Sequence, residues 1–247
     1  MSQNYLKLND DKTEFMVIGS KYQTAKVHVS HIRVGNANVI PSSEVRNLGV
    51  IFDPSLSMEN HITTVCKAAY ASIRNIGRIR RHVNRETAEM MVHAFITSKI
   101  DIGNSLLHGI TNSQLHRLQR IQNIAARLVR YTKPHQHITP VLHDLHWLPV
   151  EQRITFKVAL FVYKILYTSA PAYLTELVEL YSPARNLRSA TKGLLQETVA
   201  RNQWGSRSFQ VSAAKIWNNL PFAVRSAKNL YSFKTNLKTH LFQNAYD

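Results

Sequence analysis

A change of hydrophobic periodicity near Pro54 constrains the fold of this chain more than any other feature of its sequence. Before Pro54, apolar residues occur in short runs separated by turn residues, a pattern typical of β-strands. After it, apolar residues recur every three or four positions over long stretches, as in amphipathic helices. The sequence therefore predicts an α+β fold, in which a small antiparallel sheet precedes a mainly helical region.

The β-like segment contains three short apolar runs. They span residues 14–19, 26–34 and 45–52. Residues 35–38 (GNAN) favour a turn after the second run, and Asp53-Pro54 ends the third. A sheet of three or four such strands is too small to be stable alone, so we expect it to pack against the helices that follow.

The helical region is predicted from its apolar spacing and its helix-terminating residues. Helices are expected over residues 57–79, 85–99, 111–133, 149–167, 171–180, 213–218 and 232–244. Ser57 is the predicted N-cap of the first of these helices, and Pro149 occupies the favoured first-turn position of the fourth. Residues 182–205 show little periodicity, and we expect a long connection there, with a hairpin that pairs residues 193–199 with 206–211.

The charge of the chain points to a polyanionic partner. It carries 31 Lys and Arg against 15 Asp and Glu, a net charge of +16, while 44% of its residues are hydrophobic, which is too many for a disordered basic tail. The N-terminus has no hydrophobic signal core and no run of about 18 apolar residues occurs. We therefore expect a soluble intracellular protein, in the nucleus or the cytoplasm, that binds RNA or DNA and no membrane.

Arginines follow one face of the third predicted helix, opposite its leucines and isoleucines. A second group ends the first predicted helix, where four arginines occur in eight residues. Because the guanidinium group makes forked contacts with phosphate oxygens, both groups are candidate nucleic-acid-binding residues, and the alternative is an ordinary solvated polar face. The candidates are Arg74, Arg78, Arg80, Arg81, Arg117, Arg120, Arg127 and Arg130.

Adjacent aspartates at Asp10-Asp11 are one candidate for metal chemistry. Pairs of this kind hold the two cations of nucleotide polymerases, but that chemistry needs a third carboxylate and an apolar β-turn-β setting. Here the pair lies between polar residues, in what we interpret as a loop that enters a strand. Loop or capping aspartates are therefore the favoured interpretation.

Four histidines form the other metal candidate. Their spacing matches no zinc-ligand pattern on one helix face, and the chain's single cysteine, Cys66, lies far from them. We expect no metal site, histidines at a surface or interface, and an inert thiol in the core at Cys66. The histidines are His135, His137, His143 and His146.

Ten short motifs, read in order, resemble one family over nearly the whole chain. They lie at residues 6–15 (LKLNDDKTEF), 45–53 (VRNLGVIFD), 61–67 (HITTVCK), 104–107 (NSLL), 118–127 (LQRIQNIAAR), 138–142 (ITPVL), 145–154 (LHWLPVEQRI), 170–174 (APAYL), 187–189 (LRS) and 217–221 (WNNLP). In this order the motifs are similar to the C-terminal part of the reverse transcriptase of non-LTR retrotransposons (LINEs) of the jockey and chicken-repeat kind.

The resemblance implies a role for each segment. Residues 1–56 would be the end of the polymerase palm, 57–134 the helical thumb, and 135–247 the C-terminal region of this clade. Lys12 matches the lysine proposed to protonate the pyrophosphate leaving group, although without the family it is an ordinary surface lysine. Leu48 and Gly49 match the turn of the primer-grip hairpin. The family's Mg²⁺-binding aspartates would precede the residues present here, so we expect no cofactor in this chain.

Two functions follow from the resemblance. The first is a fragment of an RNA-directed DNA polymerase that binds template–primer nucleic acid, alone or with the missing remainder of the polymerase, but does not catalyse by itself. The second is a host-retained, non-enzymatic module, derived from that fragment, that binds nucleic acid or protein. A third interpretation is a gene fragment with no cellular role.

Overall fold

The structure, a computed structural model, describes residues 9, 12–35, 37–168, 172–182 and 193–246. The chain divides into two compact units, Met1–Lys67 and Ala68–Asp247. The first contains the strands and the second is helical, so the predicted α+β class with a small antiparallel β part is confirmed. No helix within the described ranges is long and apolar enough to span a membrane.

The strands are short and the longest helices have 17 to 21 residues. The strands are β1 (Ile32–Val34), β2 (Ala37–Val39), β3 (Val45–Asn47) and β4 (Val50–Phe52). The helices are α1 (Lys21–Thr24), α2 (Glu59–Ile79), α3 (Arg85–Val92), α4 (Ser98–Asp101), α5 (Asn112–Arg130), α6 (Thr139–Asp144), α7 (Val150–Thr168), α8 (Gln203–Arg207), α9 (Phe209–Asn219), α10 (Phe222–Arg225) and α11 (Leu230–Tyr246).

Two separate antiparallel hairpins make up the strands of the first unit. β1 pairs with β2 and β3 with β4. The turn predicted over residues 35–38 is shorter than expected, because Ala37 and Asn38 belong to β2, and the run predicted over residues 45–52 is two strands rather than one. The predicted strand over residues 14–19 is wrong, because this segment makes only an isolated bridge between Phe15 and Pro41. Its apolar side chains are only partly covered, so a strand there gains little from burial.

Asp53 joins the end of β4 to the start of α2. Its carboxylate, 8% exposed, accepts hydrogen bonds from the Ser55 and Ser57 hydroxyls and from the backbone N–H groups of Ser55, Ser57 and Met58. Burial alone would raise the pKa of Asp53, but the donors from Ser55, Ser57 and Met58 hold it below its ordinary value. Ser57 Oγ in turn accepts from the Glu59 N–H at 3.2 Å, at the predicted helix start.

The main core of the second unit lies where α7, α9, α10 and α11 meet. Tyr163 and Phe233 stack with ring centroids 4.2 Å apart, and Trp217 lies 5.9 Å from the Phe233 ring. The polar atoms of these rings are satisfied, since Trp217 Nε1 donates to Gly193 O and the Tyr163 hydroxyl to Ala227 O. These residues hold the C-terminal helices together as one packed body.

The predicted helices after Pro54 are confirmed, with different boundaries at several ends. α5 begins after Thr111, which forms a capping box with Gln114, and ends at Tyr131 in the left-handed conformation. The helix predicted over residues 85–99 contains a π-helical turn, His93–Thr97, between α3 and α4. Of the helix predicted over residues 171–180, the structure describes a 3₁₀ segment, Ala172–Leu177.

The predicted hairpin of residues 193–199 with 206–211 is wrong. Residues 206–211 are almost entirely helical, in α8 and α9, and Leu195 instead makes an antiparallel bridge with Leu180. The apolar spacing of this segment is short enough to suit either structure, and burial of the α9 face against α7 favours the helix.

Candidate nucleic-acid interface

One face of α2 and the turn after it carries an exposed basic stripe, defined here as Tyr70, Arg74, Arg78 and Arg81. At about 100° per residue, Tyr70, Arg74 and Arg78 fall within an arc of roughly 80° on one side of α2. Arg81 is exposed in the 3₁₀ turn, Arg80–His82, that follows the helix. The opposite side of α2 is buried and includes Ala69 and Ile76. Glu59, in the first turn, is the only acidic residue of α2, so no carboxylate neutralises the stripe from within the helix.

Arg80, one residue before the end of this stripe, has a structural role. It is 5% exposed, and its guanidinium donates to Leu128 O, Val129 O and Val83 O at 2.7–2.9 Å. The first two are carbonyls of the last turn of α5, which have no partner within that helix. Arg80 therefore binds the C-terminus of α5, and its donors are not available for phosphate.

The arginines of α5 differ in their exposure and in their bonding partners. Arg120 is exposed, whereas Arg117 is half-buried. Arg127 donates to Gln136 O at 2.9 Å, and Arg130 lies 3.0 Å from the Asp144 carboxylate. The last two tie α5 to the segment that leads into α6 and to the end of that helix, so only part of the predicted arginine face is open to a ligand.

The C-terminal ends of α2 and α5 meet at Arg80. Besides donating to the end of α5, its guanidinium lies 4.2 Å from the ring centroid of Tyr131, the residue that caps α5. Arg80 therefore joins the end of α2 to the end of α5, about 50 residues further along the sequence.

The turn predicted at Leu48-Gly49 is present in the first unit. Leu48 has φ 47° and Gly49 φ 87°, so both central residues of the β3–β4 hairpin are left-handed, as a type I′ turn requires. The Leu48 side chain is 94% exposed. An apolar side chain is thus held outward on a residue whose left-handed backbone costs about 1 kcal/mol.

Lys12 lies in a local turn with its side chain exposed. Its backbone N–H donates to Asn9 O and to Asn9 Oδ1, both at 3.2 Å, and Thr13 Oγ1 donates to Asn9 O. The Asn9–Lys12–Thr13 pattern that carries the resemblance is thus a self-contained capped turn. Asp10 and Asp11 lie outside the described residues.

The carboxylates that the structure describes make no metal centre. Among the described residues, no group of three or more His, Cys, Asp and Glu side chains is placed to hold an ion. Asp53 is occupied by its hydrogen-bond donors, Asp101 by Arg153, and Asp144 by Arg85 and Arg130.

The predicted histidine group divides in two. His143 packs with Phe242 and Tyr246 of α11, and His146 packs with Phe242, with ring centroids 5.1–5.6 Å apart in these three pairs. His135 and His137 are exposed in the segment before α6. The Tyr246 hydroxyl donates to Trp147 O at 2.5 Å, and burial raises its pKa to about 12. The histidines near α6 therefore form the surface on which α11 ends.

Two features of this interface are missing from the sequence-based candidates. Tyr70 lies one helical turn before Arg74 on the same face, a spacing that identifies it once the helix is assigned. Asp144 joins Arg85 and Arg130 across three elements, a contact for which the sequence contains no local signal.

Comparisons of the chain with protein-family models, with curated proteins and with solved structures give no match.

Proposed function

We propose that this chain binds nucleic acid through the α2 basic stripe, as the thumb of a non-LTR retrotransposon reverse transcriptase binds template–primer. In this proposal, residues 1–56 are the end of the palm, 57–134 the thumb and 135–247 the C-terminal region. Leu48 and Gly49 approach the primer end and Lys12 lies beside the leaving group. The chain by itself does not extend a primer.

The observation that carries this proposal is the composition of the stripe. Two exposed arginines and a tyrosine share one face of α2, which has no acidic residue beyond its first turn, and a third exposed arginine follows in the 3₁₀ turn. Arginine suits phosphate oxygens, and an exposed tyrosine can stack against a sugar or a base. A face whose only task is to be solvated normally mixes both signs of charge, which this face does not.

The alternative function, a host-retained module that binds nucleic acid or protein, shares the same surface. A host-retained module that binds nucleic acid differs from the polymerase fragment because it needs neither a polymerase partner nor a primer end. The exposed Leu48 favours the polymerase interpretation, because a strained apolar turn residue has no role in binding through arginines alone.

Binding of a fluorescently labelled RNA–DNA hybrid over a range of salt concentrations tests the proposal. The triple variant Arg74→Gln/Arg78→Gln/Arg81→Gln should bind more weakly and lower the slope of log K against log salt by roughly two units, since each phosphate contact contributes about 0.7–0.9. The control variant Lys215→Gln/Lys228→Gln/Lys234→Gln removes the same charge from exposed positions outside the stripe.

A slope that falls equally in both triple variants would show that net charge, not the stripe, determines binding. Failure of the wild-type chain to bind the hybrid at low salt would contradict both nucleic-acid functions. A primer-extension assay on poly(rA)–oligo(dT) with Mg²⁺ and then Mn²⁺ completes the test. Extension above the buffer control would contradict the proposal that the chain alone is inactive.

A further inference from the structure

A cavity of about 420 Å³ lies in the second unit, between α7, the α3–α4 helical segment, the end of α6 and α11. Its size falls within the range of roughly 300–1,000 Å³ that is usual for small-molecule sites. None of the arginines assigned to the basic stripe lines it. It is therefore a separate feature that the proposed function does not use.

The apolar wall of this cavity is partly aromatic. Trp147 and Phe156 line it together with Leu145, Leu148 and Leu160. The Trp147 ring is fixed, because its Nε1 donates to Glu89 Oε1 at 3.1 Å and His93 lies 5.2 Å from it. A rigid indole beside leucine side chains is suited to a planar ligand.

The charged groups of the cavity leave two ammonium groups without a carboxylate. Glu89 is bonded to Trp147 and lies 3.7 Å from His93, while Asp101 is bonded to Arg153 and Asn104. Lys157 and Lys238 also line the cavity, and within the described residues neither makes an ion pair. Asp101 is neutralised by Arg153, whereas Glu89 keeps its negative charge unless His93 is protonated. The two lysines, of which Lys157 has its ammonium 5.5 Å from the Phe161 ring centroid, therefore outnumber the one unneutralised carboxylate.

Two departures from regular helix geometry lie at this cavity. The π-helical turn begins at His93, and His146 has φ 53°. π-Helical turns are frequent at functional sites. The left-handed His146 is instead the ordinary end of α6, where the Trp147 N–H donates to Leu142 O at 3.0 Å. Both place a ring at the cavity wall.

We propose that this cavity binds a nucleotide, with the base against Trp147 and Phe156 and the phosphate between Lys157 and Lys238. The shared chemistry is a planar ring that carries a phosphate, which a free mononucleotide and the 5′-phosphorylated end of a strand both supply. The site is independent of the α2 basic stripe.

Calorimetric titration of the full chain with AMP tests this inference. AMP should bind one to one, and the variant Lys157→Ala/Lys238→Ala should weaken it by about tenfold or more, since charge-assisted contacts to phosphate are lost. The control Lys228→Ala/Lys234→Ala removes two exposed lysines that do not line the cavity, and should change the AMP affinity by less than about twofold. Adenosine carries no phosphate, so it should bind the Lys157→Ala/Lys238→Ala variant and the control variant with equal affinity.

Three results of these titrations would refute the proposed nucleotide site. No saturable AMP binding up to about 5 mM, an equal loss in the control variant, or binding of benzoate as tight as that of AMP would each refute a nucleotide site. A 5′-phosphorylated tetranucleotide that displaces AMP assigns the site to strand ends, and one that does not assigns it to free nucleotides. The Arg74/Arg78/Arg81 triple variant should keep AMP binding, so this inference and the proposed function fail separately.

Discussion

At the scale of single residues, neighbouring side chains of identical chemistry have opposite roles in this protein. Arg80 is buried against the end of α5, while Arg81 is exposed on the basic stripe. The difference arises because α2 ends at Ile79 and a 3₁₀ turn, Arg80–His82, directs the first arginine inward. Residue type predicts phosphate binding equally for both, and only their surroundings separate them.

Replacing Arg80 with Ala should lower the free energy of unfolding by about 3 kcal/mol, because three carbonyls lose a charged donor. The matched variant Arg81→Ala should change it by no more than about 0.5 kcal/mol and should weaken hybrid binding instead. Urea denaturation followed by circular dichroism measures both. Equal stabilities of the two variants would contradict the structural role of Arg80.

Asp53 is the second residue whose role is local. Asp53→Asn should lower the free energy of unfolding by about 2 kcal/mol at pH 7, since one carboxylate oxygen is replaced by a donor among buried donors. Because the folded pKa of Asp53 is below its ordinary value of 3.8, the stabilisation is present above pH 3.8 and lost below it. The difference between wild type and variant should therefore shrink when unfolding is measured at pH 3. A difference that is constant with pH would exclude the ionised carboxylate as its source.

At the scale of elements, helix ends and turns are determined by short-range chemistry that the sequence displays. Thr111 with Gln114 begins α5, and Gly49 makes the β3–β4 turn. The π-helical turn after α3 is different, because no residue in it breaks a helix. Its first residue, His93, lines the cavity.

Replacing two glycines with alanine should change the stability of the protein in opposite directions. At Gly77, inside α2, an added Cβ would lie 4.0 Å from Leu128 Cδ1, an ordinary contact, so Gly77→Ala should stabilise the protein by about 0.5–1 kcal/mol. Gly109 has φ +72° and an added Cβ would lie 2.7 Å from Arg207 Cγ, so Gly109→Ala should destabilise it by at least about 1 kcal/mol. Thermal unfolding of the two variants and the wild type measures whether the melting temperature rises for Gly77→Ala and falls for Gly109→Ala. A lower melting temperature for Gly77→Ala would show that the α2–α5 contact is tighter than described.

At the scale of the whole molecule, folding depends on pH through buried histidines in both units. Burial lowers the pKa of His61, which is 3% exposed and whose Nδ1 accepts from the Ile51 N–H at 3.5 Å. Burial also lowers the pKa of His108, helped by Arg207 and Lys215 and opposed by Glu151. Each folded unit therefore favours a neutral imidazole.

The stability of the chain should consequently fall as the pH drops below 6.5. Below this ordinary histidine pKa the unfolded chain binds protons that the folded chain does not, so this contribution is complete above pH 6.5 and is lost towards the lowered folded pKa values. The midpoints of urea unfolding at pH 7.5 and 5.5 measure this loss of stability. The double variant His61→Gln/His108→Gln should lose less stability between the two pH values than the wild type. The same loss in the double variant would assign it to other groups.

The order and type of the long helices, a turn after the second apolar run and the division into a β-containing and a helical part follow from the sequence alone. They depend on periodicity, capping residues and turn residues, which act over a few positions. The tertiary structure alone decided which arginines are exposed, where Asp144 pairs and that a cavity forms between α7 and α11. The physical reason is that the face of a helix can be calculated from its own residues, but what covers that face comes from segments tens of residues away.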